Sequence, residues 1–391
     1  MFWLNLLLFA VLTVGHTELL VTIINRVHSL RLHHKVLKHI RHLHDVGIPL
    51  FPVVLIAAVG TGEPGLLVGG RWSHLPIGWQ LYLGLCALGA VGLTASMLRW
   101  GLRKVPRLQL SNDSRTVDIA ERLGYRPVGE GPYRFLTRVP GNEIFKLEIS
   151  EKSYRLPRLP HEWNGLSILH LSDLHYLGTL QRPFFEEVMD LSAELKADLI
   201  VFTGDLLDRQ QLTEWLPTTL GRLSAPLGCF FILGNHDWEY GLDPDEIRRC
   251  LSDLGWRDVA GKTFNIHHNG RQLTLGGSEL PWMGRQPDFS ALPDDAFRIL
   301  LSHTPDNLPW AKEQGVDLML SGHNHGGQVV LPMIGPVFSP SRFGVRYSSG
   351  AFCEGPTLLY VSRGISARHP LRLNCLPELT KLVLHSSPSQ P

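Results

Sequence analysis

The chain repeats one pattern five times after residue 165: a short apolar run of strand-forming residues is followed at once by residues that can bind a metal ion. The five runs are residues 167–171, 199–203, 229–233, 297–302 and 316–320. Runs of this length, separated by helical or irregular segments, predict strands of an α/β core. Polar residues at the carboxyl ends of neighbouring strands meet in one crevice. The pattern therefore predicts a single site built from five distant parts of the chain.

The residues that follow the runs are carboxylates, imidazoles and one amide. In chain order they are Asp173, His175, Asp205, Asp208, Asn235, His236, His303, His323 and His325. Mixed nitrogen and oxygen ligands without cysteine fit Mn, Fe or Zn better than a pure Mg or Ca site, and they disfavour a structural zinc site. So many ligands exceed the needs of one tetrahedral ion and suit two divalent ions that share a bridging group. Glycines directly before Asp205, Asn235 and His323 permit tight turns there.

These residues fall into blocks that resemble the signature of a known family. The blocks are Asp173-Leu-His175, Gly204-Asp205-Leu-Leu-Asp208, Gly234-Asn235-His236-Asp237, His303 and Gly322-His323-Asn-His325. Their residues and their order are similar to the five signature blocks of the calcineurin-like metallophosphoesterases. One block alone would be a weak signal, but all five are present, each after a strand-like run. The resemblance implies an α/β fold, a four-layer sandwich of two mixed β-sheets flanked by helices.

The resemblance also implies a role for each residue. One ion would be held by Asp173, His175, Asp205 and His325. The other would be held by Asp205, Asn235, His303 and His323, with Asp205 as the bridge and Mn favoured as the metal. His236 would not bind a metal but would stabilise or protonate the leaving oxygen, and Asp208 would orient its ring. A carboxylate beside an imidazole keeps it protonated, as an acid near a leaving group requires.

Three apolar stretches precede residue 100, at residues 2–24, 46–62 and 77–98. A membrane span needs about 20 apolar residues, so the first and third stretches qualify. The second is shorter, contains Pro49 and Pro52, and is predicted either to cross or to be kinked or re-entrant. The stretches predict two or three N-terminal transmembrane helices, with an uncleaved anchor rather than a signal peptide.

Basic residues set the predicted orientation. They lie before the second stretch (Arg26, Arg31, Lys35, Lys38, Arg41) and after the third (Arg99, Arg103, Lys104, Arg107), whereas the connection between stretches two and three holds only Arg71. Both basic clusters are expected in the cytoplasm if all three stretches cross. The five cysteines contain no C-x-x-C pair, which also fits a reducing compartment. We expect a multi-pass protein of the cell (inner) membrane with a cytoplasmic catalytic domain.

The first connection also has apolar residues at helical spacing (Leu30, Leu37, Ile40, Leu43) between its basic groups. This spacing predicts an amphipathic helix at the level of the lipid headgroups. The alternative is an auxiliary metal store, since the connection holds six histidines: His28, His33, His34, His39, His42 and His44. The predicted domains are a membrane region at 1–105, a juxtamembrane region at 106–160, a phosphoesterase domain at 161–385 and a flexible tail at 386–391.

Several other residues are ambiguous. His267 and His268 precede Asn269-Gly270 and are expected on the surface next to a hairpin turn. Arginines beyond the last block could bind a phosphate bidentately or form surface pairs; these are Arg342, Arg346 and Arg363. Residues 238–262 and 280–295 are candidates for a substrate-selecting cap, in which Trp282 and Met283 would contact an acyl chain or pack in the core.

The C-terminal part narrows the expected substrate. Gly322 to Gln328, Tyr360 to Gly364 and Pro370 to Glu378 resemble the bacterial membrane-associated branch of the family, which includes anchored phosphodiesterases and UDP-2,3-diacylglucosamine pyrophosphatases. An anchored enzyme suits an amphiphilic substrate. We therefore expect hydrolysis of a phosphodiester or pyrophosphate bond in a lipid-linked substrate such as UDP-2,3-diacylglucosamine, at the surface of membrane lipid. A general phospholipid or aryl phosphodiesterase is the alternative, and a non-catalytic receptor or scaffold the least favoured.

Net charge gives no reason to expect a nucleic-acid partner. The sequence has 37 Lys and Arg against 36 Asp and Glu, a formal net charge of +1. Proteins that bind polyanions usually carry a basic excess. The sequence does not predict an oligomeric state.

Overall fold

The computed structural model describes residues 1–32, 34–238, 241–268 and 270–387. The predictions that involve His33, Asn269, residues 239–240 of the candidate cap and residues 388–391 of the tail lie outside the described residues. The chain forms two compact units. The helical unit comprises Met1–Arg103 with Pro332–Arg346, and the sandwich unit comprises Lys104–Leu331 with Tyr347–Pro391.

The helical unit is built on three long apolar helices, α1 (Phe2–His28), α2 (His34–Leu55) and α3 (Ile77–Gly101). A π-helical turn, Ile56–Thr61, extends α2, so that Pro49 and Pro52 lie inside one helix. By length and composition, segments Phe2–His28, Val36–Thr61 and Ile77–Gly101 can each cross a membrane. Part of the predicted amphipathic connection, from Val36 onward, therefore lies in the second candidate span.

Contacts along α1 show that α3 runs parallel to it. Near the start of α1, Trp72 Nε1 donates a hydrogen bond of 3.0 Å to Asn5 Oδ1. Near the middle of α1, His16 Nδ1 lies 2.6 Å from Oη of Tyr82, which follows Trp72 in the chain. Contacts thus advance along both segments together. As a consequence, α1 and α3 end on the same side of the unit.

The contacts of α2 run in the opposite direction. Asn5 Nδ2 donates to Leu66 O, beyond the end of α2, at 2.6 Å. Further along α1, the His16 ring stacks on Phe51 at 4.0 Å, and its Nε2 lies 3.2 Å from Gly47 O. The three helices therefore form an up-down-up bundle, in which α2 returns the chain to the side where α1 began.

Two glycines let α1 and α3 touch through their backbones. A Cβ added at Gly15 would lie 1.8 Å from Cys86 O, and one added at Gly89 would lie 2.3 Å from Gly15 O. Small residues at helix–helix contacts are typical of membrane bundles, where close van der Waals packing drives association. Leu55, Val59, Leu83 and Cys86 belong to one buried cluster of the helical unit.

The sandwich unit contains two mixed sheets. The first has the order β1-β2-β15-β3-β4-β5-β6. Its strands are β1 (Gln109–Asp118), β2 (Lys146–Leu156), β3 (Leu166–Leu171), β4 (Leu199–Phe202), β5 (Cys229–Phe231), β6 (Trp256–Asp258) and β15 (Glu378–Ser386). Strands β3 to β6 are parallel, with Ile168 opposite Leu199 and Ile200 opposite Cys229.

The second sheet has the order β13-β14-β10-β9-β8-β7. Its strands are β7 (Thr263–His268), β8 (Arg271–Ser278), β9 (Phe297–Ser302), β10 (Leu318–Ser321), β13 (Gly350–Glu354) and β14 (Thr357–Val361). Strands β8, β9, β10 and β14 are parallel, and the edge strands β7 and β13 are antiparallel to their neighbours. Two further short strands are β11 (Val330–Leu331) and β12 (Gly335–Pro336).

Two buried clusters explain the layers. One joins the facing surfaces of the sheets, with Val201 and Phe230 of the first against Ile299 and Leu320 of the second. The other packs helices on the outer face of the first sheet, including Phe184 of α5. The helices of the sandwich unit are α4 (Ile119–Leu123), α5 (Arg182–Glu194), α6 (Pro244–Asp253) and α7 (Leu308–Glu313). The result is two mixed sheets flanked by helices, as the resemblance implied.

Residues 106–160, predicted as a juxtamembrane region, contain two strands. They supply β1 and β2, and β2 pairs in parallel with β15 in the first sheet. Along β1, residues 110–116 are exposed, because this strand forms the edge of the sheet. An edge strand with charged, solvated side chains reads as a polar loop in the sequence.

Candidate metal centre

The loops after the parallel strands are joined to one another by backbone hydrogen bonds. Asp173 N donates to Gly204 O at 2.9 Å, and His175 N donates to Asp205 O at 3.0 Å. Across the two sheets, Gly322 N donates to His303 O at 2.9 Å. These bonds fix the predicted ligand residues of separate strands at the same edge. The crevice predicted from the carboxyl ends of the strands is therefore present.

Three glycines make this close approach possible. A Cβ added at Gly322 would lie 1.9 Å from Ser172 Oγ and 2.4 Å from Asp173 Oδ2. One added at Gly234 would lie 2.2 Å from Asp205 Oδ1. Gly204 has φ of +99°, and its added Cβ would lie 2.5 Å from Gly234 N. No other residue fits at these positions without displacing a carboxylate or the backbone.

Five of the predicted ligands have a left-handed backbone. Their φ angles are 56° at Asp173, 47° at His175, 59° at Asp205, 69° at His323 and 49° at His325. Non-glycine residues rarely adopt this conformation, and each instance costs of order 1 kcal/mol or more. Such strain clusters at functional sites, where the surrounding structure imposes a particular direction on the side chain.

The first group of candidate ligands is Asp173, His175, Asp205 and His325, whose ligand atoms all lie within 4.8 Å of one another. Nε2 of His175 lies 3.3 Å from Nε2 of His325 and 3.5 Å from Oδ2 of Asp205. Nε2 of His325 lies 3.7 Å from Oδ1 of Asp173. Two imidazole nitrogens and two carboxylates therefore point at one place.

The second group is Asp205, His303 and His323. Oδ2 of Asp205 lies 3.3 Å from Nε2 of His303, which in turn lies 3.1 Å from Nδ1 of His323. Asn235 completes the predicted set. Its Oδ1 is buried and accepts no hydrogen bond from any residue that the structure describes. An amide oxygen in this state fits a cation ligand, because burying it unpaired is otherwise costly.

Hydrogen bonds from the opposite ring nitrogens fix the tautomers of two histidines. His303 Nδ1 donates to Thr203 O at 2.7 Å, since a carbonyl only accepts. His175 Nδ1 donates to Asp208 Oδ2 at 2.9 Å. In the neutral rings, both Nε2 lone pairs face the site. This arrangement is typical of metal-binding histidines.

Asp208 links the first group of candidate ligands to His236, the predicted general acid. Its Oδ2 holds His175, while its Oδ1 lies 2.8 Å from His236 Nδ1. Burial raises the pKa of Asp208, but the neighbouring His236 and His175 outweigh burial and hold its pKa well below the ordinary value. The carboxylate is therefore charged and orients both rings. The His236 side chain is 18% exposed and the Asp208 side chain is fully buried. Solvent therefore reaches the predicted acid, His236, but not Asp208.

Asp237, to which the sequence assigned no metal, has a structural role. Its carboxylate accepts hydrogen bonds from the backbone N–H groups of Gly234, Asp205, Leu206 and Leu207 at 2.8–3.0 Å. These bonds hold the two glycine turns together. Asp237 thereby fixes the backbone that presents Asp205.

Two further residues lie at the site: Arg368, which was not assigned from the sequence, and Trp282, which was named there only as a candidate cap residue. Arg368 Nη1 donates to Asp208 Oδ1 at 3.1 Å, beside His236. No motif surrounds Arg368, so its position was not readable from the chain. The Trp282 ring lies 4.8 Å from the ring of His323 and 5.7 Å from that of His303, and forms an aromatic wall beside the second group. Met283, by contrast, is buried.

The structure places the ambiguous residues in several parts of the chain. Arg363 is paired with Glu148 at 2.6 Å and with Glu378 at 3.2 Å. Arg342 and Arg346 belong to the helical unit. His267 and His268 are exposed on β7. Eight of the nine predicted site residues lie in the groups around Asp205 and Asp208, and the ninth, Asn235, lies between Gly234 and His236 in the turn next to Asp205.

Comparisons with known proteins agree with this geometry. The family profile described as calcineurin-like phosphoesterase matches residues 166–327. The metallophosphoesterase YkuE of Bacillus subtilis, itself uncharacterized, is 35% identical over 261 residues, covering 63% of this chain and 88% of that protein. The phosphodiesterase YaeI of Escherichia coli is 33% identical over 220 residues, or 56% and 81% of the two chains. The UDP-2,3-diacylglucosamine pyrophosphatase LpxG of Chlamydia muridarum is 28% identical over 295 residues, or 60% and 88%.

Proposed function

Because the chain belongs to the calcineurin-like metallophosphoesterases, which are phosphoester hydrolases, we propose that it cleaves a phosphodiester or pyrophosphate bond at a site of two divalent ions. The observation that carries this proposal is the position of Asp205. Its Oδ2 lies 3.5 Å from His175 Nε2 in one ligand group and 3.3 Å from His303 Nε2 in the other. A bridging carboxylate would occupy this position.

The ligand chemistry supports the assignment of residues to the ions. One ion would bind Asp173, His175, Asp205 and His325, and the other would bind Asp205, Asn235, His303 and His323. The unpaired buried oxygen of Asn235 and the outward Nε2 atoms fit a cation. Imidazole with carboxylate suits Mn, Fe or Zn, and we propose Mn. When bound, the two metal ions supply Lewis-acid activation of water and positive charge that stabilises the phosphoryl oxygens.

Side chains of the protein would then protonate the leaving oxygen. His236 lies next to the ligand groups, and its backbone N–H donates to Asp205 Oδ1 at 2.9 Å. Its Nδ1 is held by Asp208, which leaves Nε2 as the atom that delivers a proton to the departing oxygen. The Arg368 guanidinium, bonded to the same carboxylate, places a positive charge beside His236, where a second phosphate of the substrate would bind.

Three observations support a lipid-linked substrate such as UDP-2,3-diacylglucosamine. Three helices can span a membrane. LpxG, which is similar over 60% of this chain, is a pyrophosphatase for that lipid. Trp282 gives the site an aromatic wall on which an acyl group or a base would pack. The similarity to the phosphodiesterase YaeI favours a general phosphodiesterase as the second candidate.

We further propose a multi-pass location in the cell membrane with a cytoplasmic catalytic domain. The up-down-up bundle brings the ends of α1 and α3, each followed by a basic cluster, to one side. The only basic residue between the second and third spans is Arg71. By the positive-inside rule, the side with both clusters is cytoplasmic.

The test is release of UMP from UDP-2,3-diacylglucosamine by detergent-purified protein with Mn²⁺, run beside the Asp205→Asn variant. An aryl phosphodiester serves as the second substrate. UMP release by the native protein alone would establish both the mechanism and the lipid substrate.

Two other results would revise the proposal. Cleavage of the aryl diester with no UMP release would contradict the lipid substrate and favour the general phosphodiesterase. If neither substrate were cleaved by protein that holds two ions per chain, the hydrolase assignment for this site would be overturned.

A further inference from the structure

Residues 332–346 leave the sandwich unit and pack as part of the helical unit, although they follow the last ligand block by only a few residues. Their composition is unusual for a surface loop. They contain Met, Ile, Val and Phe residues and two arginines, and the chain has no acidic residue between Asp317 and Glu354. Apolar and basic residues without acidic ones are typical of segments that lie in the interface of a bilayer.

Asn25 holds the middle of this segment against α1. Its Nδ2 donates to Val337 O at 3.3 Å, and its Oδ1 accepts from Ser339 N at 3.0 Å. A side-chain amide that satisfies both a carbonyl and an N–H fixes the backbone in the manner of a neighbouring strand. The Asn25 side chain is buried, so these bonds are protected from water.

Two more contacts place the segment at the ends of α1 and α3. The Phe338 ring lies 5.9 Å from the His28 ring in the last turn of α1. Gly335, with φ of +90°, approaches Trp100 at the end of α3 so closely that an added Cβ would lie 2.8 Å from the indole. The ends of membrane spans lie at the bilayer surface. Given the membrane location proposed above, on which this inference rests, the segment lies at that surface too.

The segment directs apolar side chains away from the unit. Met333 is 87% exposed and has a left-handed φ of 65°, and Phe338 is 39% exposed. Holding a methionine in this conformation is unfavourable, and its exposure to water adds to the cost. Both costs are reduced if the side chain enters the acyl boundary of a bilayer.

Basic side chains share the same surface. Arg342 and Arg346 are exposed, and an added Cβ at Gly344 would lie 3.7 Å from Arg26 Nη1. Three arginines of α1 and the segment are thus brought to one end of the unit. A polybasic surface beside membrane spans attracts anionic phospholipid headgroups.

We propose that residues 332–346 form a lipid-binding segment, in which Met333 and Phe338 enter the bilayer interface and Arg342, Arg346 and Arg26 bind anionic phospholipid headgroups. A bilayer is favoured over a protein partner because the apolar residues continue directly from the ends of two candidate spans. This binding does not depend on which phosphoester the site cleaves.

The experiment uses full-length protein in nanodiscs of equal phosphatidylcholine and phosphatidylglycerol. A photo-crosslinking benzoylphenylalanine replaces Met333, and in a second protein it replaces Leu88, a 66% exposed residue in the middle of α3. Mass spectrometry identifies the adducts. We expect lipid adducts at both positions, with a phosphatidylglycerol share at Met333 roughly threefold above that at Leu88, because each nearby arginine favours anionic lipid.

Variant proteins separate the parts of the proposal. In Arg342→Gln/Arg346→Gln protein the adduct at position 333 should remain, and its lipid ratio should fall to that at Leu88. Asn25→Ala should lower the yield of lipid adduct at 333 while leaving that at Leu88 unchanged. Thermal unfolding midpoints within a few degrees of the native protein confirm that each variant is folded.

Several outcomes would overturn the proposal. These are an absence of lipid adduct at 333 while Leu88 is labelled, a crosslink from 333 to a second protein chain, and a lipid ratio that the arginine substitutions leave unchanged. An absence of lipid adducts at Leu88 itself would show that the helical unit does not lie in the bilayer, and it would overturn the proposal.

Discussion

The helical unit and the sandwich unit both depend on glycines where a Cβ would collide with a neighbour, but the neighbours differ. Gly15 and Gly89 admit one helix backbone to another. Gly234 and Gly322 admit the carboxylates of Asp205 and Asp173. In the first case a helix can shift as a body when crowded. In the second the crowded atom is a candidate ligand, so any shift changes the chemistry. The same residue type is therefore a packing device in one unit and a functional requirement in the other.

His16 in the helical unit and Asn235 in the sandwich unit are buried polar residues in two different states. In the helical unit His16 is satisfied on both ring nitrogens, by Tyr82 and by Gly47 O. In the sandwich unit the candidate ligands crowd together, and Asn235 Oδ1 has no partner among the described residues. A satisfied group stabilises the fold, whereas the unpaired amide oxygen of Asn235 fits a cation ligand. Substitutions should therefore separate stability in one unit from activity in the other.

The largest effect is expected at Asp205. Asp205→Asn should lower phosphodiester hydrolysis about 1,000-fold or more, because loss of a bridging carboxylate removes several kcal/mol of transition-state stabilisation. Metal analysis should show fewer than two ions per chain. Asp190→Asn, the same change on the exposed surface of α5, should retain activity and metal. Full activity in Asp205→Asn would contradict the bridging role.

His236 should affect rate without affecting metal. His236→Gln is expected to lower kcat about 100- to 1,000-fold, the range that proton transfer usually contributes. Its metal content should match that of the native protein, because His236 is not among the proposed ligands. The steady-state rate and the bound metal are measured on the same sample. A loss of metal equal to the loss of activity would instead make His236 a ligand.

Matched glycine substitutions test the comparison directly. Gly322→Ala should lower activity about 100-fold, because the new Cβ would displace Asp173 or Ser172. Gly15→Ala should lower the thermal midpoint in detergent but change cleavage of a soluble aryl diester less than about twofold, because its effect falls on helix packing. Equal activity losses in the two variants would contradict the different roles assigned to the glycines of the two units.

The smallest effect is expected on stability at acid pH. Burial lowers the pKa of His170 to about 4, against 6.5 when unfolded. The unfolded chain therefore binds more protons between these values, so the stability that His170 confers is complete above pH 6.5 and falls toward pH 4. From pH 7 to pH 5 the loss is about 2 kcal/mol from this residue. Denaturant unfolding should show a shallower pH dependence in His170→Gln, and an unchanged slope would contradict the shift.

Much of the site could be predicted from the sequence, because strand-like runs indicate where polar residues converge. Each of the nine predicted residues lies in or beside the two ligand groups, although their individual roles stay predictions. Arg368 was missed because a lone arginine carries no motif. The left-handed backbone of Asp173 or His325 was also unreadable, since only tertiary contacts impose that conformation on residues other than glycine.

The fold was less readable where tertiary context overrides local composition. Residues 109–118 were assigned no strand from the sequence, yet they form β1, because an edge strand needs only backbone pairing. Pro49 and Pro52 left open a crossing helix or a kinked or re-entrant segment, and the structure places both within α2. Arg342 and Arg346 resembled phosphate ligands because they follow the last ligand block in sequence. They belong to the helical unit, which no local sequence pattern predicts.

The left-handed backbone at five site residues has a consequence for the abundance of the protein in a cell. Each of these residues lowers the free energy of unfolding of the empty domain, and ions that bind only the folded chain restore it in proportion to the logarithm of their free concentration. When divalent metal is scarce, a larger fraction of chains would unfold transiently and be exposed to proteolysis. Metal supply would then set how many copies persist, as well as how fast each one works.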